Sequence, residues 1–198
     1  MNFQLTEEQL QVQKTVKEFA ETKILPGVLK TDETSEFPVE LYKEMGKLGL
    51  IGLPYPKEYG GSGGDYLSYI LAVEEVSKVD GAIGISYSVS TSLYSGSCDN
   101  GCTEEQKKAW MPEVLSGQKF GSFGLTEPCA GSDAAGAIVT AKKDGDKYII
   151  NGLKCFITNG PLSDHFIVYA LTQPELKTKG LSAFHVTKGT PGFSIGKI

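Results

Sequence analysis

Long apolar runs, basic blocks and a dense cysteine framework are all missing from these 198 residues. No window approaches the ~20 apolar residues that a membrane-spanning helix needs. No block of Lys or Arg stands out against a net charge of −5, so the footprint of a nucleic-acid or anionic-membrane binder is lacking. Four cysteines, Cys98, Cys102, Cys129 and Cys155, are too few for a secreted disulfide scaffold. Cys98 and Cys102 have the spacing of half a metal site, but no second pair accompanies them, and His165 and His185 lie far along the chain. No metal site is therefore expected. Glu7 and Glu8 stand where a signal or transit peptide would carry no acids. The expected setting is a reducing one, the cytoplasm.

What is present is globular. Hydrophobic residues make up 40% and charged residues 22%, ordinary values for a packed domain. The chain is long enough to bury a core without staples and suits one large domain or two small ones.

The two halves follow different periodicities. "TEEQ" occurs twice, at 6–9 and 103–106, and each copy is a capping-box candidate. After the first, Val12, Val16, Phe19 or Ala20, and Ile24 fall on one helical face, and Pro26 and Gly27 are expected to end that helix. Pro38 suits the start of a second helix carrying Leu41, Met45 and Leu48. Residues 49–66, "GLIGLPYPKEYGGSGGDY", place an apolar run before glycines and tempt one towards a dinucleotide fingerprint. The register fails, because Tyr66 stands where the third glycine belongs, and Pro54 and Pro56 interrupt any strand. A flexible glycine-rich turn is expected there, then helices at about 66–79, 82–97 and 104–115. From about Lys119 strand-like alternation takes over, at 138–143, 147–151, 166–171, 182–187 and 193–195, with Asp144-Gly145 as a hairpin signal. The expectation is an α+β chain: an all-helical domain over 1–117, then an antiparallel, barrel-like β domain over 118–198. The last run stops inside what reads as a strand, whose unpaired backbone seeks a partner. The chain is expected to be a piece of something longer.

Residues 123–136, "FGLTEPCAGSDAAG", lie where one grammar gives way to the other. A strand ending in small residues offers free N–H groups that can receive an anion, and Ser132 adds a hydroxyl. Thr126 can bond a carbonyl or ring nitrogen of a flat ligand, over an apolar bed of Phe123 and Leu125. On this stretch alone an ordinary β-turn with a hydroxyl cap is the favoured reading. A second stretch, "KCFITNG" at 154–160, is another strand end bearing an aromatic, a Thr and an Asn.

Taken in order, "FGLTEPCAGSD" and "NGLKCFITNG" resemble the acyl-CoA dehydrogenase family. The resemblance extends through "LTEEQ", "GLIGLPYPKEYGG", "TEEQKKAWMPEVLSG" and "TPGFSIGK", nearly the whole chain. It implies an N-terminal helical domain, a middle β-barrel domain and a C-terminal four-helix bundle, with FAD between the last two. Phe123, Leu125, Thr126, Gly131 and Ser132 would then line the FAD site, with Ser132 also near the acyl-CoA. Phe156, Ile157 and Thr158 would form its second strand. Many members carry Trp where this chain has Phe156, which keeps the apolar face and loses the indole N–H. Cys129 stands where small or polar residues are usual.

The chemistry implied is α,β-dehydrogenation of an acyl-CoA thioester, with a short acyl chain expected. Electrons would pass to an electron-transferring flavoprotein, and the full-length protein would be a homodimer or homotetramer. The base implied by the family is a Glu of the bundle, so no catalytic residue is expected within this chain, which alone should be inactive. Glu127 is expected to accept backbone hydrogen bonds that shape its own turn. An acyl-CoA oxidase and a non-catalytic flavin- or CoA-binding interaction module are the alternatives.

Overall fold

The computed structural model describes residues 4–196. The chain divides into two compact units, with the break between Lys119 and Phe120.

The first unit is helical. Thr6 caps α1 (Glu7–Phe19): its hydroxyl accepts the Gln9 N–H at 3.2 Å, and the Gln9 side chain accepts the Thr6 N–H at 3.0 Å. Thr103 and Gln106 repeat the device at α7 (Glu104–Trp110). Pro26 and Gly27 do not end the first helical run as expected. A π turn, Ala20–Ile24, and a 3-10 turn, Leu25–Gly27, carry the chain past the proline into α2 (Val28–Thr34). Their altered bonding accommodates the donor that proline lacks. Pro38 precedes α3 (Val39–Lys47), whose buried face is Tyr42 and Met45, while Leu48 is exposed. Asp65 caps α4 (Tyr66–Val79). After it, α5 (Gly81–Ser88), a π segment Val89–Ser95 and α6 (Gly96–Gly101) follow without a gap, and α8 (Pro112–Leu115) closes the unit.

Tyrosines fill much of this core. Tyr42, Tyr55, Tyr69, Tyr87 and Tyr94 are buried. A buried phenol needs a partner for its hydroxyl. Tyr55 donates to the Thr91 carbonyl at 2.5 Å, Tyr87 to Leu50 at 2.8 Å and Tyr94 to Trp110 at 3.2 Å.

Residues 49–64 are not the flexible turn expected of their glycines. The Ser62 N–H reaches the Gly52 carbonyl at 2.9 Å, the Gly63 N–H that of Tyr55 at 2.9 Å and the Gly64 N–H that of Leu53 at 2.8 Å. With Tyr87 on Leu50 and the Thr91 hydroxyl on the Ile51 carbonyl at 2.8 Å, the stretch is tied to itself and to the following helices.

The second unit is a five-stranded sheet of β1 (Gly121–Gly124), β2 (Thr140–Asp144), β3 (Lys147–Asn151), β4 (His165–Leu171) and β5 (Leu181–Thr187). β4 pairs with β5 antiparallel along its whole length. Its other edge takes β1, parallel over four residues, and then β2, parallel at Thr140 and Leu171. β2 and β3 form the expected hairpin, with Gly145 at φ +61° in the loop. The sheet is mixed and does not close, which corrects the antiparallel, barrel-like expectation. Alternation along a strand sets which side chains share a face and leaves the partner's direction open. The strand expected at 193–195 is also absent. The Thr190 and Phe193 N–H groups turn back onto the Thr187 and Thr190 carbonyls, and the Phe193 ring packs on Phe166 at 4.8 Å. Among the described residues no helix is long and apolar enough to cross a membrane.

Candidate functional site

The two stretches singled out above lie side by side in the sheet unit. β1 ends at Gly124, and the chain leaves it through Leu125 and Thr126 into a tight turn. The Glu127 and Ala130 backbones close that turn reciprocally, at 3.0 and 3.1 Å, with Pro128 at its second position, where a preset φ suits a β-turn.

Glu127 is buried and its carboxylate is fully engaged. Oε2 accepts the Ile138 N–H at 2.7 Å and the Val139 N–H at 3.2 Å, and Oε1 accepts Val139 at 3.1 Å. The Lys154 ammonium donates to Oε1 at 2.6 Å. Burial pushes this carboxyl up, but the Ile138 and Val139 amides and the Lys154 charge outweigh it and hold its pKa below the ordinary 4.5. A carboxylate so held shapes its own turn. These bonds also explain why β2 begins at Thr140 and not at Ile138: the two preceding amides are already taken.

Four further bonds join β1 and the residues after it to the second stretch. The Cys155 N–H donates to the Thr126 carbonyl at 2.9 Å, and the Lys154 ammonium to the Leu125 carbonyl at 2.9 Å. Ser122 Oγ, in β1, donates to the Thr158 carbonyl at 2.8 Å. The Asn159 amide reaches the Gly121 carbonyl at 3.3 Å. Phe123, Leu125, Thr126, Ile157 and Thr158 are half-buried, and Phe123 leans on the Tyr169 ring at 5.2 Å.

Phe156, Ile157 and Thr158 do not form a second strand. Phe156 and Asn159 sit at φ +56° and +65°, a left-handed conformation that cannot extend a ladder. The result is a turn that leaves Phe156 92% exposed. Gly131 and Ser132 lie beyond the 127–130 turn, also exposed, and no hydrogen bond ties them to the second stretch among the described residues. A Cβ placed on Gly131 would find no atom within 4 Å. The sheet unit therefore brings six of the eight candidate residues, Phe123, Leu125, Thr126, Phe156, Ile157 and Thr158, into two adjoining strips, with Gly131 and Ser132 at one end.

Lys154, Ser122 and Asn159 were not among the candidates read from the sequence. The one signal for Lys154 was a cation in the second stretch to match the acid of the first. Among the described residues no three His, Cys, Asp or Glu side chains gather to hold a metal.

Along the two strips the free donors of the candidate residues are uncharged. All 19 basic residues of the chain are lysines, with no arginine, and the Lys154 charge is committed to Glu127. Hydroxyls, backbone N–H groups and apolar faces remain. That set suits a flat aromatic ligand with acceptors along one edge. It gives no bidentate grip on phosphate.

Comparison with known proteins places the whole chain. Residues 6–118 match the family model for the acyl-CoA dehydrogenase N-terminal domain, and residues 122–198 that for the acyl-CoA dehydrogenase middle domain. A short-chain-specific acyl-CoA dehydrogenase of Clostridium acetobutylicum is 49% identical over 198 residues, all of this chain and 52% of that protein. The structure of butyryl-CoA dehydrogenase from Megasphaera elsdenii superposes with a TM-score of 0.95 at 42% identity, covering 100% of this chain and 52% of that one. A chain in a structure described as the electron transferring flavoprotein of Acidaminococcus fermentans gives 0.96 at 46%, with the same coverage. The chain spans about half the length of the curated relatives it matches.

Proposed function

The chain belongs to the acyl-CoA dehydrogenase family, and from that premise we propose that it forms one wall of an FAD site in an acyl-CoA dehydrogenase acting on short acyl-CoA thioesters. The observation that carries the reading is the pairing of the two strips through Thr126, Cys155 and Lys154, which leaves uncharged donors and an exposed Phe156 on one surface. The Megasphaera and Clostridium relatives support the short acyl chain. Structures of relatives with FADH2 and FAD support the cofactor, and the residues present fit it. Electrons pass to an electron-transferring flavoprotein, the whole protein assembles as a homo-oligomer, and its setting is the cytoplasm.

Bound flavin supplies the hydride acceptor. In this reading Thr126 and Thr158 orient its ring through hydroxyl and backbone groups. Phe123, Leu125 and Ile157 supply an apolar bed, and Phe156 excludes water from one side. Gly131 lets the ligand approach the backbone closely, and Ser132 donates a hydroxyl to the cofactor or to the acyl-CoA. Glu127 takes no proton from substrate, because its two oxygens already serve Ile138, Val139 and Lys154. The base comes from the part of the relatives that this chain does not span.

The test uses the full-length protein, reconstituted with FAD and mixed with butyryl-CoA. Bleaching of the flavin and dye reduction are expected, with little hydrogen peroxide under air. Rapid peroxide formation turns the reading to an oxidase. FAD binding with no bleaching by any acyl-CoA turns it to a binding module. The 198-residue chain alone is expected to show no turnover above background, since loss of a general base costs about 10²–10⁴-fold.

A further inference from the structure

Lys154 does more than neutralise an acid. Its side chain is only 10% exposed, an unusual place for a strongly hydrated ammonium. Pairing with Glu127 accounts for one of its contacts. The other, 2.9 Å to the Leu125 carbonyl, goes to the main chain of the opposite strip and needs its own reason.

A peptide is planar and trans, so its C=O and N–H point in opposite directions. The ammonium holds the Leu125 oxygen towards the buried ion pair, and the Thr126 N–H is thereby turned away from it. The next peptide is set the same way. The Thr126 carbonyl accepts the Cys155 N–H at 2.9 Å, and the Glu127 N–H is turned onto the Ala130 carbonyl at 3.0 Å. Two consecutive peptides are thus oriented by two consecutive residues of the neighbouring strip, one through a side chain and one through the backbone. Leu125 and Thr126 follow the end of β1, so no strand ladder fixes the first of these peptides.

We propose that Lys154 is a positioning residue for the cofactor: its ammonium holds the Leu125–Thr126 peptide in the orientation that presents the Thr126 N–H, beside the Thr126 hydroxyl, to the flavin. The proposal rests on the flavin reading above. It separates two roles within one ion pair, since Glu127 secures the 138–139 backbone and Lys154 aims the 125–126 peptide.

The test compares full-length wild type, Lys154→Met, Glu127→Gln and the double variant Lys154→Met/Glu127→Gln, by melting temperature of the apoprotein, FAD dissociation constant and visible flavin spectrum. Lys154→Met strands a buried carboxylate and is expected to melt well below wild type. The double variant removes both charges and is expected to recover most of that loss. It nonetheless binds FAD at least tenfold more weakly, with an altered visible band, whereas Glu127→Gln alone stays within about threefold of wild type. A double variant with wild-type affinity and spectrum overturns the proposal. So does a Glu127→Gln protein that loses FAD as badly as the double variant, for then the carboxylate is the device; this comparison holds even where Lys154→Met does not fold. A wild-type protein that binds no FAD sinks the flavin reading itself, whereas variants indifferent to Lys154 in a wild type that binds sink only this role.

Discussion

Residues 49–64 and 121–136 are built from much the same materials, glycines, prolines and hydroxyls beside apolar residues, and they put them to opposite uses. In the first, the glycines admit the protein's own backbone. A Cβ on Gly61 would lie 2.1 Å from the Tyr55 carbonyl oxygen, and one on Gly52 3.0 Å from the Gly61 Cα. In the second, Gly131 faces nothing within 4 Å, and Ser132 beside it is exposed. Glycine density marks places where a backbone must come close to something. In the first stretch that something is another part of the same unit, whereas at Gly131 the unit itself brings nothing close. The second is closed from beneath, by Glu127 and Lys154, and left open above.

The sharpest way to break this comparison is to add the same methyl group to each stretch. Gly61→Ala is expected to lose about 3 kcal/mol or more, because the clash is with backbone that has no room to yield. Gly131→Ala is expected to stay within about 0.5 kcal/mol of wild type. Urea denaturation of both variants reads the difference, and a silent Gly61→Ala or a crippling Gly131→Ala ends the contrast.

A second contrast is one of charge. Residues 49–64 are held chiefly by backbone and hydroxyl bonds, with one carboxylate contact at their edge, from the Tyr59 hydroxyl to Glu104, whereas the sheet unit has its ionisable groups buried within it. His165 and His185 stack in it, with Nδ1 of the first 3.2 Å from Nε2 of the second. Burial, helped by the neighbouring His165, lowers the His185 pKa from 6.5 to about 4. A histidine depressed on folding contributes stability that is intact above the unfolded value of 6.5 and is lost as pH falls towards 4. Roughly 2–3 kcal/mol is expected to disappear over that window, on linkage grounds. Glu127, held below 4.5, adds its loss only at still lower pH. Denaturation curves at pH 7.5, 6 and 5 should show the decline in wild type and a much flatter profile in His185→Gln. Equal slopes in the two proteins would remove His185 from the account.

The smallest expected effects lie on the open surface itself. In the full-length protein, Ser132→Ala and Thr126→Val are each expected to weaken FAD retention by ~0.5–1.5 kcal/mol, about 2- to 10-fold. Ser132 should cost the more if its partner is charged. Apoprotein stability should scarcely change, since Ser132 is exposed and Thr126 half-buried. FAD dissociation rates measure this, and a large loss of apoprotein stability in either variant means that the hydroxyl is structural.

Much of this protein was legible one residue at a time. Both capping boxes, the Asp144-Gly145 hairpin and the helix after Asp65 follow from short spacings, because each is closed by bonds within a few residues. The role of Glu127 was also readable, as an acid placed where turn amides need an acceptor. The passage over Pro26 was not, because π and 3-10 turns offered an escape that the proline signal does not announce. Nor was the turn at 156–159, where aromatic and β-branched residues read as strand and the backbone at Phe156 and Asn159 went left-handed.

The sequence by itself determined the family, the order of helical and sheet units and the two strips that make the candidate site, because these depend on residue type and spacing along the chain. The tertiary structure alone decided that β1 runs parallel to β4, that the sheet stays open, and that Lys154 reaches both Glu127 and the Leu125 carbonyl. Those features join segments some 27 to 44 residues apart. Whether an ammonium there meets solvent or a buried carboxylate is settled by which strands pack together, a choice made by the whole core and written in no local pattern.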